Sequence, residues 1–314
     1  MRTPTFRLLI AFVTLLTFIG CDPELKVVPE VTTTALTLLT TSSAGSGGTV
    51  TGEGANTVTA IGLCWSTSPA PTINDSKSSE KAGQATFTTT IDGLTLNTRY
   101  YLRAYATNPA GTAYGNEISF TTLNLNEVYN PVTGRVWMDR NLGASRVATS
   151  MTDSEATGDL YQWGRAADGH EKRTSGTTKN LSPGDSPGHG LFVTAYLDPV
   201  DWRSPQNNNL WQGVNGINNP CPAGYRIPTE AEWNEERASW RTNTAKGAFY
   251  SVLKLPLTPQ RSYDGAVFDY NVLGEYWTST VNGINAQLLH TNEANAYTMS
   301  MYRIYGHCIR CIKD

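Results

Sequence analysis

Charge is scarce in this 314-residue chain. Asp, Glu, Lys and Arg make up 16 % of it, against about 25 % in an average soluble domain, and the formal net charge is only −3. That balance excludes the basic footprint of a nucleic-acid binder and a polybasic patch for anionic lipid. Histidine is scarcer still: the four residues, at 170, 189, 290 and 307, show no spacing that favours a metal site or a triad. There is no G-x-S-x-G and no H-E-x-x-H. The glycine-rich GDSPGHG stretch (184–190) lacks the Lys-Ser/Thr of a phosphate loop and reads as an ordinary loop. Asp153, Glu155 and Asp159 read as a solvated carboxylate cluster. No apolar run beyond residue 19 approaches the ~20 residues that a spanning helix needs.

The one apolar run that does exist is informative. Arg2 and Arg7 precede an uncharged stretch from Leu8 to Ile19, followed by Gly20 and Cys21. A positive n-region, a short apolar core and a small residue are the marks of an export signal. The segment resembles a bacterial lipobox, with Phe18 where Leu is usual. The resemblance implies cleavage after residue 20, acylation of Cys21 and a membrane anchor through two lipid chains. Removal of residues 1–20 takes away two of the 24 basic residues and none of the 27 acidic ones, moving the net charge to −5.

Thr, Ser, Asn and Gly fill the place of charge, and fifteen tyrosines and eight tryptophans mark folded, aromatic-rich units. Length favours two domains. After a tether (21–30), residues 31–122 read as short strands at about ten-residue spacing: Val31–Leu39, Thr59–Trp65, Ala85–Ile91, Arg99–Thr107 and Glu117–Thr122. Ser42–Gly54 reads as turn. Arg99–Thr107 alternates, with Tyr101, Arg103 and Tyr105 on one face and Tyr100, Leu102, Ala104 and Ala106 on the other. This pattern predicts an antiparallel β-sandwich. The stretch LTLNTRYYLRAYATNPAGTAYGNEISFTT resembles the second half of a fibronectin type III-like domain of bacterial surface proteins. That likeness implies a tyrosine corner at Leu94 and Tyr100, a core role for Trp65, and a spacer function.

Residues 126–314 carry seven of the eight tryptophans. Val128–Trp137 reads as a hairpin turning at Thr133-Gly134, and the stretch from Thr174 to Asn219 as loop. One helix is expected to begin at Thr229, where Thr229 and Glu232 form a capping box. Trp233, Arg237 and Trp240 then share a face. The prediction is a loop-rich α+β domain that needs internal staples. Of the five cysteines, Cys64 stands alone, and one disulfide among Cys221, Cys308 and Cys311 is expected, leaving one over.

Five ordered segments give this region its character: VWMDRNLGA (136–144), GDLYQWGRAA (158–167), NPCPAGYRIPTEAEW (219–233), GEYWTST (274–280) and RCIKD (310–314). Together they resemble the Fibrobacter succinogenes major paralogous domain, related to the C-type-lectin-like fold of formylglycine-generating enzymes. Tyr225 stands where that family usually has Trp. The resemblance implies a Cys221–Cys311 disulfide, with Cys308 spare. It does not extend to the catalytic cysteines of formylglycine-generating enzymes, because no cysteine lies between Cys221 and Cys308. The Glu-Pro-Asn and Gln-Pro-Asp motifs of calcium-dependent lectins are also absent. Cys308-Ile-Arg-Cys311 sits in a β-like context, without the helix N-terminus of a redox pair or the further ligands of a zinc site.

What remains is surface. Trp202, Trp211, Asn207 and Asn208 lie in a polar loop region, and their chemistry suits sugar: rings stack on C–H faces and amides bond hydroxyls. The two tryptophans are expected to be exposed. The chain thus reads as a lipid-anchored cell-envelope binding or adhesion protein without cofactor, held to the outer membrane on its periplasmic or external side. Its ligand would be a glycan or a surface protein. Other readings are a structural subunit of a fimbria-like assembly or an enzyme of unseen kind.

Overall fold

A computed structural model describes residues 27–198, 200–268 and 271–314. The expected export signal and Cys21 lie outside the described residues. Among the described residues no helix is long and apolar enough to cross a membrane.

Nine strands build the first unit: β1 (Glu30–Thr33), β2 (Leu38–Leu39), β3 (Ala44–Gly52), β4 (Ala60–Ser66), β5 (Ser76–Lys77), β6 (Thr86–Ile91), β7 (Arg99–Asn108), β8 (Gly111–Tyr114) and β9 (Ile118–Thr121). In one sheet β3 is central, with β6 on one edge and β1 and β2 in succession on the other. The second sheet runs β5-β4-β7-β8, with β9 also on β7. All these pairings are antiparallel, and an apolar core including Ile61, Leu63, Phe87, Ile91, Leu102 and Ala104 lies between the sheets. The result is the expected β-sandwich. Alternation along β7 holds in part: Leu102, Ala104 and Ala106 are fully buried and Tyr101 and Arg103 half-buried, but Tyr105, expected with the latter two, is buried, its hydroxyl donating to the Ser78 carbonyl at 2.8 Å. The Tyr100 hydroxyl accepts a hydrogen bond from the Thr95 N–H at 3.0 Å, pinning the turn before β7. Trp65, expected in the core, is only partly buried against it.

The expected turn at Ser42–Gly54 is instead mostly strand β3. Its glycines are a steric requirement: a Cβ on Gly47 would fall 2.0 Å from the Phe87 carbonyl oxygen, and one on Gly48 2.7 Å from Ala104 Cβ. Here glycine admits a neighbouring chain.

The second unit contains β10 (Glu127–Asn130), β11 (Arg135–Met138), β12 (Tyr161–Gln162), β13 (Thr177–Thr178), β14 (Phe192–Val193), β15 (Tyr225–Arg226), α1 (Glu230–Ala238) and α2 (Ala245–Tyr250). After these come β16 (Gln260–Arg261), β17 (Val267–Phe268), β18 (Gly274–Asn282), β19 (Asn285–Thr291), β20 (Ala296–Met301), β21 (Gly306–His307) and β22 (Ile312–Lys313). The expected hairpin is β10–β11, with Asn130 opposite Arg135 and Gly134 in a positive-φ turn. β22 inserts between β11 and β15. A meander β18-β19-β20 is covered by α1, and a small sheet runs β12-β21-β16-β17. β13 and β14 pair in parallel. Strand outweighs helix in this unit, and most of the remaining chain is irregular. The capping box at Thr229 is complete, with both reciprocal hydrogen bonds between Thr229 and Glu232. The short helix α2, capped by Thr244, was not foreseen.

Cys221 and Cys311 form the disulfide, with a Cα–Cα distance of 6.0 Å and a sequence separation of 90. It ties the chain just before β15 and α1 to the start of the last strand.

Candidate functional site

Of the residues singled out in the sequence, the two tryptophans are not at the surface. Trp202 and Trp211, expected to be exposed, each have 0 % accessible surface. The Trp202 indole donates to the Trp163 carbonyl at 2.7 Å. The Trp211 indole donates to the carbonyls of Arg165 (3.2 Å) and Asn218 (3.0 Å). Polar neighbours misled the expectation. Where the backbone is irregular, its carbonyls lack ladder partners, and a buried indole supplies both apolar volume and a donor. Asn207 is half-buried and Asn208 exposed, and each side chain makes a hydrogen bond within the fold. Asn207 donates from its amide to Asp185 at 2.9 Å, and the Asn208 carbonyl accepts from the buried Arg303 at 2.7 Å. The two indoles belong to the interior.

The spare cysteine is also internal. The Cys308 thiol donates to the Thr157 carbonyl at 2.9 Å, and burial pushes it up to about 12. In the sandwich, burial pushes the Cys64 thiol up to about 11. Thiols so raised are poor nucleophiles at neutral pH.

Two groups of titratable side chains deserve comparison with the chemistry they could perform. Asp168, His170 and Glu171 bring their donor atoms within 4.8 Å of one another, close enough to share a cation. Their atoms are already engaged. His170 Nε2 accepts from the Gln162 N–H, Nδ1 lies 2.6 Å from Asp168, Asp168 accepts from Arg165, and Glu171 accepts from the Gly169 N–H. Burial outweighs Asp168 and brings His170 down to about 4, so its ring is neutral at physiological pH. The second group is Glu275, whose carboxylate lies 3.0 Å from His290 Nδ1 and 3.2 Å from His307 Nδ1. Burial opposes ionisation there, yet the two histidines hold the Glu275 carboxyl well below its usual range. All three side chains are buried. Both groups read as interior braces.

A different set of residues does reach solvent together. Tyr196 follows β14, Tyr263 sits in the turn between β16 and β17, and Tyr302 and Tyr305 stand in the turn between β20 and β21. The ring centroids of Tyr196 and Tyr263 are 4.5 Å apart, with planes at 44°. Tyr302 meets Tyr196 edge-on at 6.2 Å, and Tyr305 meets Tyr263 edge-on at 5.9 Å. Tyr196 is 54 % exposed and Tyr263 38 %, with Leu197 beside them at 61 %. Tyr302 and Tyr305 are half-buried.

The supports of this cluster are stiff. The Ser262 and Ala266 backbones close the Tyr263 turn, and Gly265 at φ +88° lets it settle against Thr177, whose Cγ2 would stand 2.7 Å from a Cβ there. Tyr305 lies flat against the buried His307, with planes 13° apart. Burial, then the nearby Tyr263, Tyr196, Asp264 and Tyr302, raises the Tyr305 phenol. The cations in the same segments turn inward: Arg261 lies over Phe192 at 4.2 Å and Arg303 over Trp163 at 4.6 Å, both buried. Asp198 and Asp264 remain outside. The cluster joins residues 196 to 305, more than a hundred positions apart. The richness in tyrosine was its only trace in the sequence.

No protein-family model matches this chain, and a search of curated proteins found no match. Among solved structures, the chain is similar to the sensor domain of the anti-sigma factor RsgI4 in Pseudobacteroides cellulosolvens. That match has 22 % identity and a TM-score of 0.25, and covers 31 % of this chain and 96 % of that one. It is also similar to the chicken CNTN1 FN1–FN3 domains, at 18 % identity and a TM-score of 0.25, covering 31 % of each chain. A fibronectin type III domain from human KIAA0970 protein matches at 11 % identity and a TM-score of 0.21, covering 30 % of this chain and 74 % of that domain.

Proposed function

We propose that this chain is a lipid-anchored cell-envelope binding protein. In this reading residues 1–20 are the export signal, and Cys21 and the tether to residue 30 fix the chain to the outer membrane. A fibronectin type III-like sandwich over 31–122 is the spacer. The head over 126–314, of the Fibrobacter succinogenes major paralogous, C-type-lectin-like kind, makes the contact. The observation that carries the binding role is the tyrosine cluster of Tyr196, Tyr263, Tyr302 and Tyr305. Four rings gathered from three distant segments onto one rigid, solvent-facing patch are costly to leave uncovered, and such patches mark interaction sites.

Adhesion of cells displaying the full chain to polysaccharide-coated and protein-coated surfaces tests this reading. Tyr196→Ala with Tyr263→Ala is expected to reduce adhesion at least tenfold on one of these surfaces while the melting temperature stays within a few degrees. Unchanged adhesion on every surface would remove the cluster from the function. Replacement of Cys21 by Ser is expected to release the protein from the membrane fraction.

A further inference from the structure

We infer that the ligand of the tyrosine surface is a neutral glycan, an inference that rests on the binding role proposed above. Three features of the patch select this chemistry. The first is shape. The rings press against one another at 4.5 to 6.2 Å and at angles from 44° to 85°. They pack directly against one another as an aromatic platform whose most exposed members are Tyr196 and Tyr263. Sugar rings stack their C–H faces on such aromatic surfaces, each contact adding area without demanding a cavity.

The second feature is hydrogen-bonding capacity. None of the four phenol hydroxyls has a hydrogen-bond partner among the described residues, although many of the polar side chains beneath them are bonded. An apolar protein surface laid over the patch would strand these hydroxyls, whereas a polyol pairs with them. The third feature is charge. Asp198 and Asp264 flank the rings, and the cations of the same segments, Arg261 and Arg303, are buried and spent on internal carbonyls. Among the described residues of these three segments the exposed charges are carboxylates, which repel uronates, sialylated chains and sulfated chains. An uncharged polysaccharide meets no such penalty. Because Tyr305 rests on His307 and the Tyr263 turn rests on Thr177, the platform is preorganised and little ordering accompanies binding.

The test uses the full chain in detergent on an array that holds neutral oligosaccharides (glucans, mannans, galactans, xylans) beside sialylated, sulfated and uronate-containing ones. Binding to at least one neutral class is expected, reduced at least tenfold by Tyr196→Ala and by Tyr263→Ala. Tyr263→Phe is expected to lose less, since it keeps the ring and drops the hydroxyl. Asp264→Asn is expected to preserve neutral binding and to relax the exclusion of acidic glycans. Binding confined to acidic glycans would overturn the inference, as would the lack of any glycan binding. If adhesion to protein-coated surfaces still depends on the cluster, the binding role survives and only the ligand class fails. If nothing that the chain binds depends on the cluster, both fall.

Discussion

The sandwich and the head bury their cores by different means. In the sandwich, paired strands consume their own backbone donors and acceptors, so the interior can be largely hydrocarbon: Ile61, Leu63, Leu102 and Phe87 carry no polar side-chain atom that needs a partner. Much of the head is irregular chain or sheet edge, and side chains meet many of the carbonyls left there without a ladder partner. The indoles of Trp163, Trp202, Trp233 and Trp277 donate to the carbonyls of Thr278, Trp163, Trp277 and Tyr161. Buried arginines do the same: Arg165 reaches Leu191 and His189, Arg261 reaches Ser175 and Gly265, and Arg310 reaches Leu253. Tryptophan and arginine in this head are thus the counterpart of a β-ladder. A loop-rich fold needs them inside because buried carbonyls must be paired.

That contrast can be broken, and the disulfide offers the largest effect. Closing ninety residues contributes about 4–5 kcal/mol on a chain-entropy account. Cys221→Ser with Cys311→Ser, or reduction of the wild type, should lower the melting transition of the head and leave that of the sandwich in place. The described cysteine of the sandwich, Cys64, is free and buried. Scanning calorimetry with and without reductant reads both transitions, and a single transition that shifts as a whole would show the two units to be one cooperative body.

Acid should separate the units next. Burial would raise the Glu232 carboxyl, but hydrogen bonds from Arg226 and the Thr229 backbone, with the Arg226 charge, bring it down to about 2 from an ordinary 4.5. A carboxyl lowered by folding stabilises above its unfolded value, so this contribution is complete above about pH 4.5 and disappears as pH falls toward 2. Its size is at most about 3 kcal/mol. Chemical denaturation at pH 7 and pH 3 should show Glu232→Gln weakening the head at the higher pH and much less at the lower. An equal loss at both would assign the effect to packing.

The smallest expected change bears most directly on the contrast. Trp202→Phe keeps an aromatic ring but removes the donor to the Trp163 carbonyl, at an expected cost of about 2 kcal/mol from the unpaired carbonyl and lost volume. A neutral substitution, measured by denaturant titration, would mean that indole donors do not support the head. Because Trp202 is buried away from the tyrosines' exposed rings, glycan binding should survive it.

Local signals were legible and long-range ones were not. The alternation on β7, the hairpin at residues 127–138 and the capping box at Thr229 each depend on neighbours within a few positions, and each was read from the sequence. The Cys221–Cys311 pairing was legible through resemblance. Trp202 and Trp211 were misread because the polarity of adjacent residues says little about burial when the chain is irregular. β3 was misread because Gly45, Gly47 and Gly48 look like turn residues until the Phe87 and Ala104 contacts are known.

By itself, then, the amino-acid sequence determined the strand-rich class of the first unit, the start of the helix in the second and the poverty of catalytic motifs. These follow from periodicity, capping chemistry and composition, which are local. Only tertiary structure decided which aromatic residues face water. It drew the tryptophans inward to answer unpaired carbonyls and brought Tyr196, Tyr263, Tyr302 and Tyr305 to one surface, because three separate turns end on the same side of the head.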